Sequence, residues 1–335
     1  MEKLSQDQIF KKTMKFMIFR MMIPLISAVI SVVAVKVTTG IVENNGGSRM
    51  GIVTILIWFL VSLGVYIGLS FFVGYKFHAS QMAIIADAVS FNMFPDDIKA
   101  YAKESTEYRF PSGNEYMAYR NAVRKSIQEL QLELNTFAEN KLRVPVLKQL
   151  IRFAQFIIGH ALSYTFDLIL CYTFVRDGKT LFTSAADAIA VYWDSWRRIA
   201  TNVMFIAIEI IVGMTVGTAF VGVIIATIVS PASGPAAGGL CGLWVGYLVA
   251  TAVKVVIDTK LSLKTLDAYF EEAQYADYSS EEYEDMCRYS KSFSKLYHKA
   301  LDEAFAVPDG GYGNNYDDFV DDFTDYGNAN YSYEY

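Results

Sequence analysis

Glu209, Lys254 and Asp258 are ionisable side chains set in or at the ends of long apolar runs, where a charge is costly unless it is paired, neutralised or hydrated. Glu209 stands eleven residues past Arg198, on the order of 16 Å along a helix. Counted outward from Ser233, Glu209 lies 24 residues back while Lys254 and Asp258 lie 21 and 25 forward, so antiparallel helices joined there would hold all three at similar depth. This spacing predicts a Glu209 to Lys254 pair that Asp258 can join. The pair is either a structural buried ion pair or a polar station on a transport pathway, and both readings stay open. A second set, His160, Tyr164 and Asp167, follows i, i+4, i+7 spacing and shares one helix face. Asp167 can orient His160 in a proton or cation relay there, or the face can simply turn towards interfacial water. Trp244, deep in the last apolar run, offers a ring to a quaternary ammonium group through cation–π attraction.

Other chemistry finds no support. His78, His160 and His298 are far apart, and no His, Cys, Asp or Glu cluster has metal-ligand spacing. No glycine-rich loop follows a strand, and no nucleophile elbow or P-loop occurs. No enzyme activity, metal, cofactor or nucleic-acid partner is expected.

The elements that must carry these residues follow from composition. The 335 residues are 53% hydrophobic, above the roughly 45–50% of soluble domains. The excess is concentrated in runs near Phe16 to Val35, Gly51 to Val73, Ile199 to Val229 and Ala236 to Ile257. Each approaches the ~20 residues needed to cross a bilayer. The first run follows Lys3, Lys11, Lys12, Lys15 and Arg20 but is too long for a signal h-region and lacks a small-residue cleavage site, so it reads as a retained span.

Basic residues flanking the spans assign sides. The five near the start place the N-terminus in the cytoplasm, as do nine Lys or Arg between Tyr75 and Pro145 for that segment. Lys254, Lys260 and Lys264 do the same for the C-terminus, giving a multi-pass protein of the cell membrane with both ends inside. Leu150 to Val175 is apolar but flanked by basic residues at both ends, so it must enter and leave on one side. The expected fold class is therefore all-α: four spanning helices plus a re-entrant or interfacial helical segment, with five full spans as the competing arrangement. The divisions are a two-helix hairpin over 1–75, a cytoplasmic helical insert over 76–149, and a membrane-embedded segment with a second hairpin over 150–260. A cytoplasmic helical region over 261–307 and an acidic tail over 308–335 follow.

Within these, Ile127, Leu130, Leu134 and Phe137 make an amphipathic helix of Ala122 to Lys141, preceded by the turn signal Phe110 to Asn114. Ser279 and Glu282 form a capping box for a helix running towards Phe305. Gly234, Gly238, Gly242 and Gly246 recur every four residues, with Gly213 and Gly217 on the preceding span, so backbones can approach closely. That contact is either within the hairpin or between copies in a homo-oligomer. Cys171, Cys241 and Cys287 read as unpaired small hydrophobes. Pro308 to Tyr335 holds seven acids and no base, a disordered tail suited to a basic protein partner.

The stretch Asp177-Gly-Lys-Thr-Leu-Phe-Thr-Ser-Ala-Ala-Asp-Ala188 resembles a segment of the choline transporter-like family, and Val256-Ile-Asp-Thr259, followed by Glu271 and Glu272, is similar to the ending of that family's last span. The resemblance covers roughly Leu147 to Tyr297. It implies transport of a cationic or amphiphilic small molecule, with the first motif on the cytoplasmic side. Family members have about ten spans where four are expected here, so a complete pathway would require association of copies. The reading from a different class is a non-transporting membrane scaffold that recruits a partner through its cytoplasmic helices and tail.

Overall fold

Four stretches of this chain have the length and composition of membrane spans: Gln6–Asn44, Val53–Ser90, Ile211–Ser233 and Pro235–Ala273. The structure is a computed structural model that describes residues 4–44, 52–141, 165–176, 179–274, 276 and 278–305, with side chains except at 52, 133–141, 195–210 and 304–305. His160, Tyr164 and the tail over 308–335 lie outside the described residues. All regular structure among the described residues is helical: α1 Gln6–Asn44, α2 Ile52–Leu69, α3 Tyr75–Ser90, α4 Ile98–Arg109, α5 Gly113–Lys141, α6 Thr165–Val175, α7 Leu181–Ser233, α8 Pro235–Ala273, α9 Ser280–Tyr289 and α10 Lys291–Phe305.

The long helices pass through two packing environments. Their outer halves form a bundle whose small core holds Ala28 and Val35 of α1, Trp58 of α2, Val229 of α7, and Cys241, Trp244 and Leu248 of α8. Its outside is apolar, with Val29, Leu60, Val216 and Phe220 all more than half exposed, as a surface that meets lipid tails should be. Polar groups in the bundle satisfy themselves: Ser27 and Ser31 donate to the carbonyls one turn back, at 2.9 and 2.7 Å. The carbonyl and hydroxyl of Ser31 accept the indole N–H groups of Trp58 (3.0 Å) and Trp244 (3.3 Å).

The inner halves enter a second core with α3, α5, α6, α9 and α10, built from Met82, Tyr119, Ile127, Phe166, Leu170, Phe182, Tyr269 and Phe293 among others. α6 is its centre. Phe166, Leu168, Ile169, Leu170 and Cys171 are all buried, so the helix is covered on every side. Thr173 bonds Tyr119 of α5 at 2.6 Å, and Tyr172 meets the rings of Tyr269 and Phe270 on α8.

Local chemistry sets the boundaries. Thr180 caps α7 by accepting from the Thr183 N–H, and Asp97 caps α4 through Lys99 and Ala100. Gly234 joins α7 to α8 with φ 88° and ψ 158°, a region essentially reserved for glycine, and Pro235 opens α8. The capping box at Ser279 and Glu282 is formed, but the helix it opens does not continue to Phe305. It ends at Tyr289 because Ser290 is extended (φ −137°, ψ 117°) and its hydroxyl accepts from Phe293 N–H, starting α10. Glu129 of α5 clamps this joint, accepting from Ser290 Oγ, Ser292 N and Ser292 Oγ at 2.9, 2.9 and 2.6 Å. Glu129→Ala is expected to cost about 2 kcal/mol through the lost charge-assisted bonds, read as faster amide exchange across α9 and α10 with the bundle helices unchanged.

Candidate functional site

Between the two cores lies a cavity of about 810 Å³, within the ~300–1,000 Å³ range of small-molecule sites. Two departures from regular helix stand in its wall. Between α2 and α3 the helix widens to a π-turn over Ser70–Gly74, a distortion frequent at functional sites. Pro24 of α1 supplies no N–H to the carbonyl of Arg20 one turn back. Ser70, Gly74, Pro24 and Arg20 all line the cavity.

Its inner wall is a polar network that ties four helices together. His78 of α3 contacts Asp167 of α6 through Nε2 at 2.9 Å, and its Nδ1 lies 2.5 Å from the hydroxyl of Tyr116 on α5. A carboxylate at Nε2 requires the proton there, so Nδ1 accepts from the Tyr116 O–H. Burial pushes the Tyr116 phenol well above its ordinary value, so that proton stays in place. Ser262 of α8 donates to the second oxygen of Asp167 at 3.3 Å. Alongside, Arg20 of α1 donates to Gln81 Oε1 at 2.6 Å, and Gln81 passes the link to Thr259 of α8 at 3.1 Å. The outer wall is apolar helix surface: Ile23, Ile211, Met214, and at the rim Leu243 and Tyr247, which are 59% and 43% exposed on the outside of the bundle.

The residues singled out from sequence divide accordingly. Lys254 and Asp258 are joined one turn apart on α8 and both line the cavity. Glu209 lies on α7 with its side chain outside the described residues. Asp167 is at the centre of the network, with His78 as its partner. Trp244 is 9% exposed in the bundle core, between Phe59, Tyr66 and Tyr247, and is not among the lining residues. A Cβ on Gly238, Gly242 or Gly246 would run into α7 at 2.1, 2.3 or 2.4 Å, while Gly217 has ordinary room and Gly213 faces open space. The close glycine contacts are therefore within the hairpin.

The two stretches that carried the family resemblance take up distinct places. In the first, Thr180 caps α7, and Asp187 receives Lys179 at 2.5 Å and the Tyr283 hydroxyl at 2.7 Å, docking α9. Burial and the Asp187 charge raise the Tyr283 phenol above its ordinary value. In the second, Asp258 faces the cavity and Thr259 receives Gln81.

Arg20, His78, Tyr116, Arg120 and Arg124 were not singled out as site residues. Tyr116, Arg120 and Arg124 recur at i, i+4, i+8, so one face of α5 carries all three, and that spacing was the available signal. Among the described residues no group of three or more His, Cys, Asp or Glu converges for a metal ion. Compared with known proteins, the chain matches no family model, no curated sequence and no solved structure.

Proposed function

We propose that this protein binds an amphiphilic small molecule, of the size of a lipid headgroup and the first part of its chains, in the cavity between bundle and helical domain. The observation that carries this is the division of the cavity's walls, with a buried polar network on one side and an apolar rim that opens on the lipid-facing surface at Leu243 and Tyr247 on the other. A ligand with a polar head and an apolar body satisfies both walls, because neither an unpaired polar wall nor an exposed apolar one is then left over. The basic flanks of the helices put this end of the bundle on the cytoplasmic side of the cell membrane, with both termini.

Of the ligand classes the choline transporter-like resemblance put forward, the amphiphile is the one the lining supports. Transport would follow if the ligand moved from the rim past the His78 to Asp167 network. Recruitment of a basic partner by residues 308–335 is a separate role that does not depend on the cavity.

The test is photocrosslinking with a phosphatidylcholine carrying a diazirine on its acyl chain, in nanodiscs, mapped by mass spectrometry. Adducts are expected at Met214, Leu243 and Tyr247 in several-fold excess over Val29 and Leu60 on the open bundle surface. Thr215→Trp, at an exposed lining position where the new ring can enter the cavity without a clash in the core, is expected to remove that excess. Uniform labelling around the bundle, unaffected by Thr215→Trp, would overturn the reading.

A further inference from the structure

Four cationic side chains line the cavity, Arg20, Arg120, Arg124 and Lys254, against two carboxylates, Asp167 and Asp258. The carboxylates are already engaged. Asp258 holds Lys254, and Asp167 is bonded to His78 and Ser262. Arg20 is held by Gln81 and lies in the field of Asp167. Arg120 and Arg124, one turn apart on α5, make no ion pair with a carboxylate among the described residues, and Arg120 is placed over the ring of Phe166 at 5.8 Å. Burial first, and then the Arg120 charge, pulls Arg124 below its ordinary value. An arginine does not give up its proton in a protein, so its charge stays in the cavity wall, opposed by that of Arg120 and offset by the field of Asp167 without an ion pair to it. Two adjacent guanidinium groups in a partly buried pocket repel each other, and a planar donor fork on each matches the oxygens of a phosphate.

We infer that the head of the amphiphile is anionic and phosphate-bearing, held by Arg120 and Arg124, with its apolar body against Ile23, Met214 and Leu243. This rests on the amphiphile reading and narrows it to one class of headgroup. The position supports it: the two arginines line a cavity shared with the apolar helices α1, α7 and α8, and basic pockets between helices suit phospholipid heads.

The experiment titrates purified protein in an uncharged maltoside detergent with three probes: dioctanoyl phosphatidic acid, dioctanoylglycerol and inorganic phosphate. The expected result is phosphatidic acid at least tenfold tighter than dioctanoylglycerol, no saturable binding of inorganic phosphate, and at least a tenfold loss for phosphatidic acid alone in R120Q/R124Q. That variant should melt no lower than wild type, since no described carboxylate loses a partner. If it fails to fold, R120K/R124K, which keeps the charge and loses the fork, replaces it with a several-fold loss expected. Equal binding of both lipids, insensitive to the variant, would overturn the anionic head and leave the amphiphile reading standing. Binding of neither lipid would overturn both. Inorganic phosphate binding as tightly as phosphatidic acid would identify a free anion site and overturn the lipid assignment.

Discussion

Alanine substituted for Gly242 or for Gly246 is expected to lower the stability of the protein by about 3 kcal/mol, the upper part of the range for overpacking. A Cβ added at Gly242 would stand 2.3 Å from the Gly222 carbonyl oxygen, and one added at Gly246 would stand 2.4 Å from the Thr218 carbonyl oxygen. These are backbone atoms of a facing helix, so no side-chain rotation relieves the contact and α7 must move away from α8. Separation of the two helices along their length would forfeit the close packing that holds apolar helices together where no hydrophobic driving force exists between them. Gly213 and Gly239, where an added methyl meets nothing within 4 Å, are the controls. Their alanine variants are expected to be neutral or stabilising by up to about 1 kcal/mol, from helix propensity alone. Thermal unfolding in detergent, read by loss of monodisperse protein, decides it. Equal melting of Gly213→Ala and Gly242→Ala would mean that the hairpin is not packed as described.

Asp167→Asn is expected to cost a similar amount, about 3 kcal/mol, the lower end for breaking a buried ionic network. The carboxylate meets His78 at 2.9 Å and Ser262 at 3.3 Å, and its charge opposes that of Arg20. The amide preserves shape but removes the larger of the two carboxylate fields on Arg20, leaving that of Asp258. Burial alone would raise the Asp167 carboxyl, but the hydrogen bond of His78 and the charges of Arg20 and Lys254 outweigh it and bring the group below its ordinary value. A carboxyl whose folded-state pKa is depressed contributes stability that is fully present above its unfolded value, about 3.9, and lost as pH falls through the folded value. The gap between wild type and Asp167→Asn should therefore hold from neutral pH down to about 4 and close below that. Chemical denaturation at several pH values measures it, and a gap that persists undiminished at about pH 2 would remove Asp167 from the ionic network.

Much of the architecture was legible along the chain because the information is local. Long apolar runs announced the spans and a connection between α7 and α8 near Ser233, and Ser279 with Glu282 the start of α9. The four-residue glycine period announced a stripped helix face. Each of these depends on residues within a turn or two of one another, where propensity and sterics act without help from the rest of the fold. The break at Ser290 was not legible, because Glu129 of another helix shares in fixing it. Nor was the partner of Asp167, since periodicity names the face a side chain occupies and not what stands opposite. Local spacing placed Asp167 on one face with His160, which lies outside the described residues, and could not name His78, 89 residues away, which the network joins to it. Arg120 and Arg124 of α5 counted only among the basic residues between Tyr75 and Pro145, and it is the fold that sets them in the cavity wall. Sequence by itself determined the helical class, which segments are apolar enough for a membrane and where the last two of them turn. Only the tertiary structure decided which charges meet, because pairing between helices is set by how their packed faces align, and that alignment is a property of all of them at once.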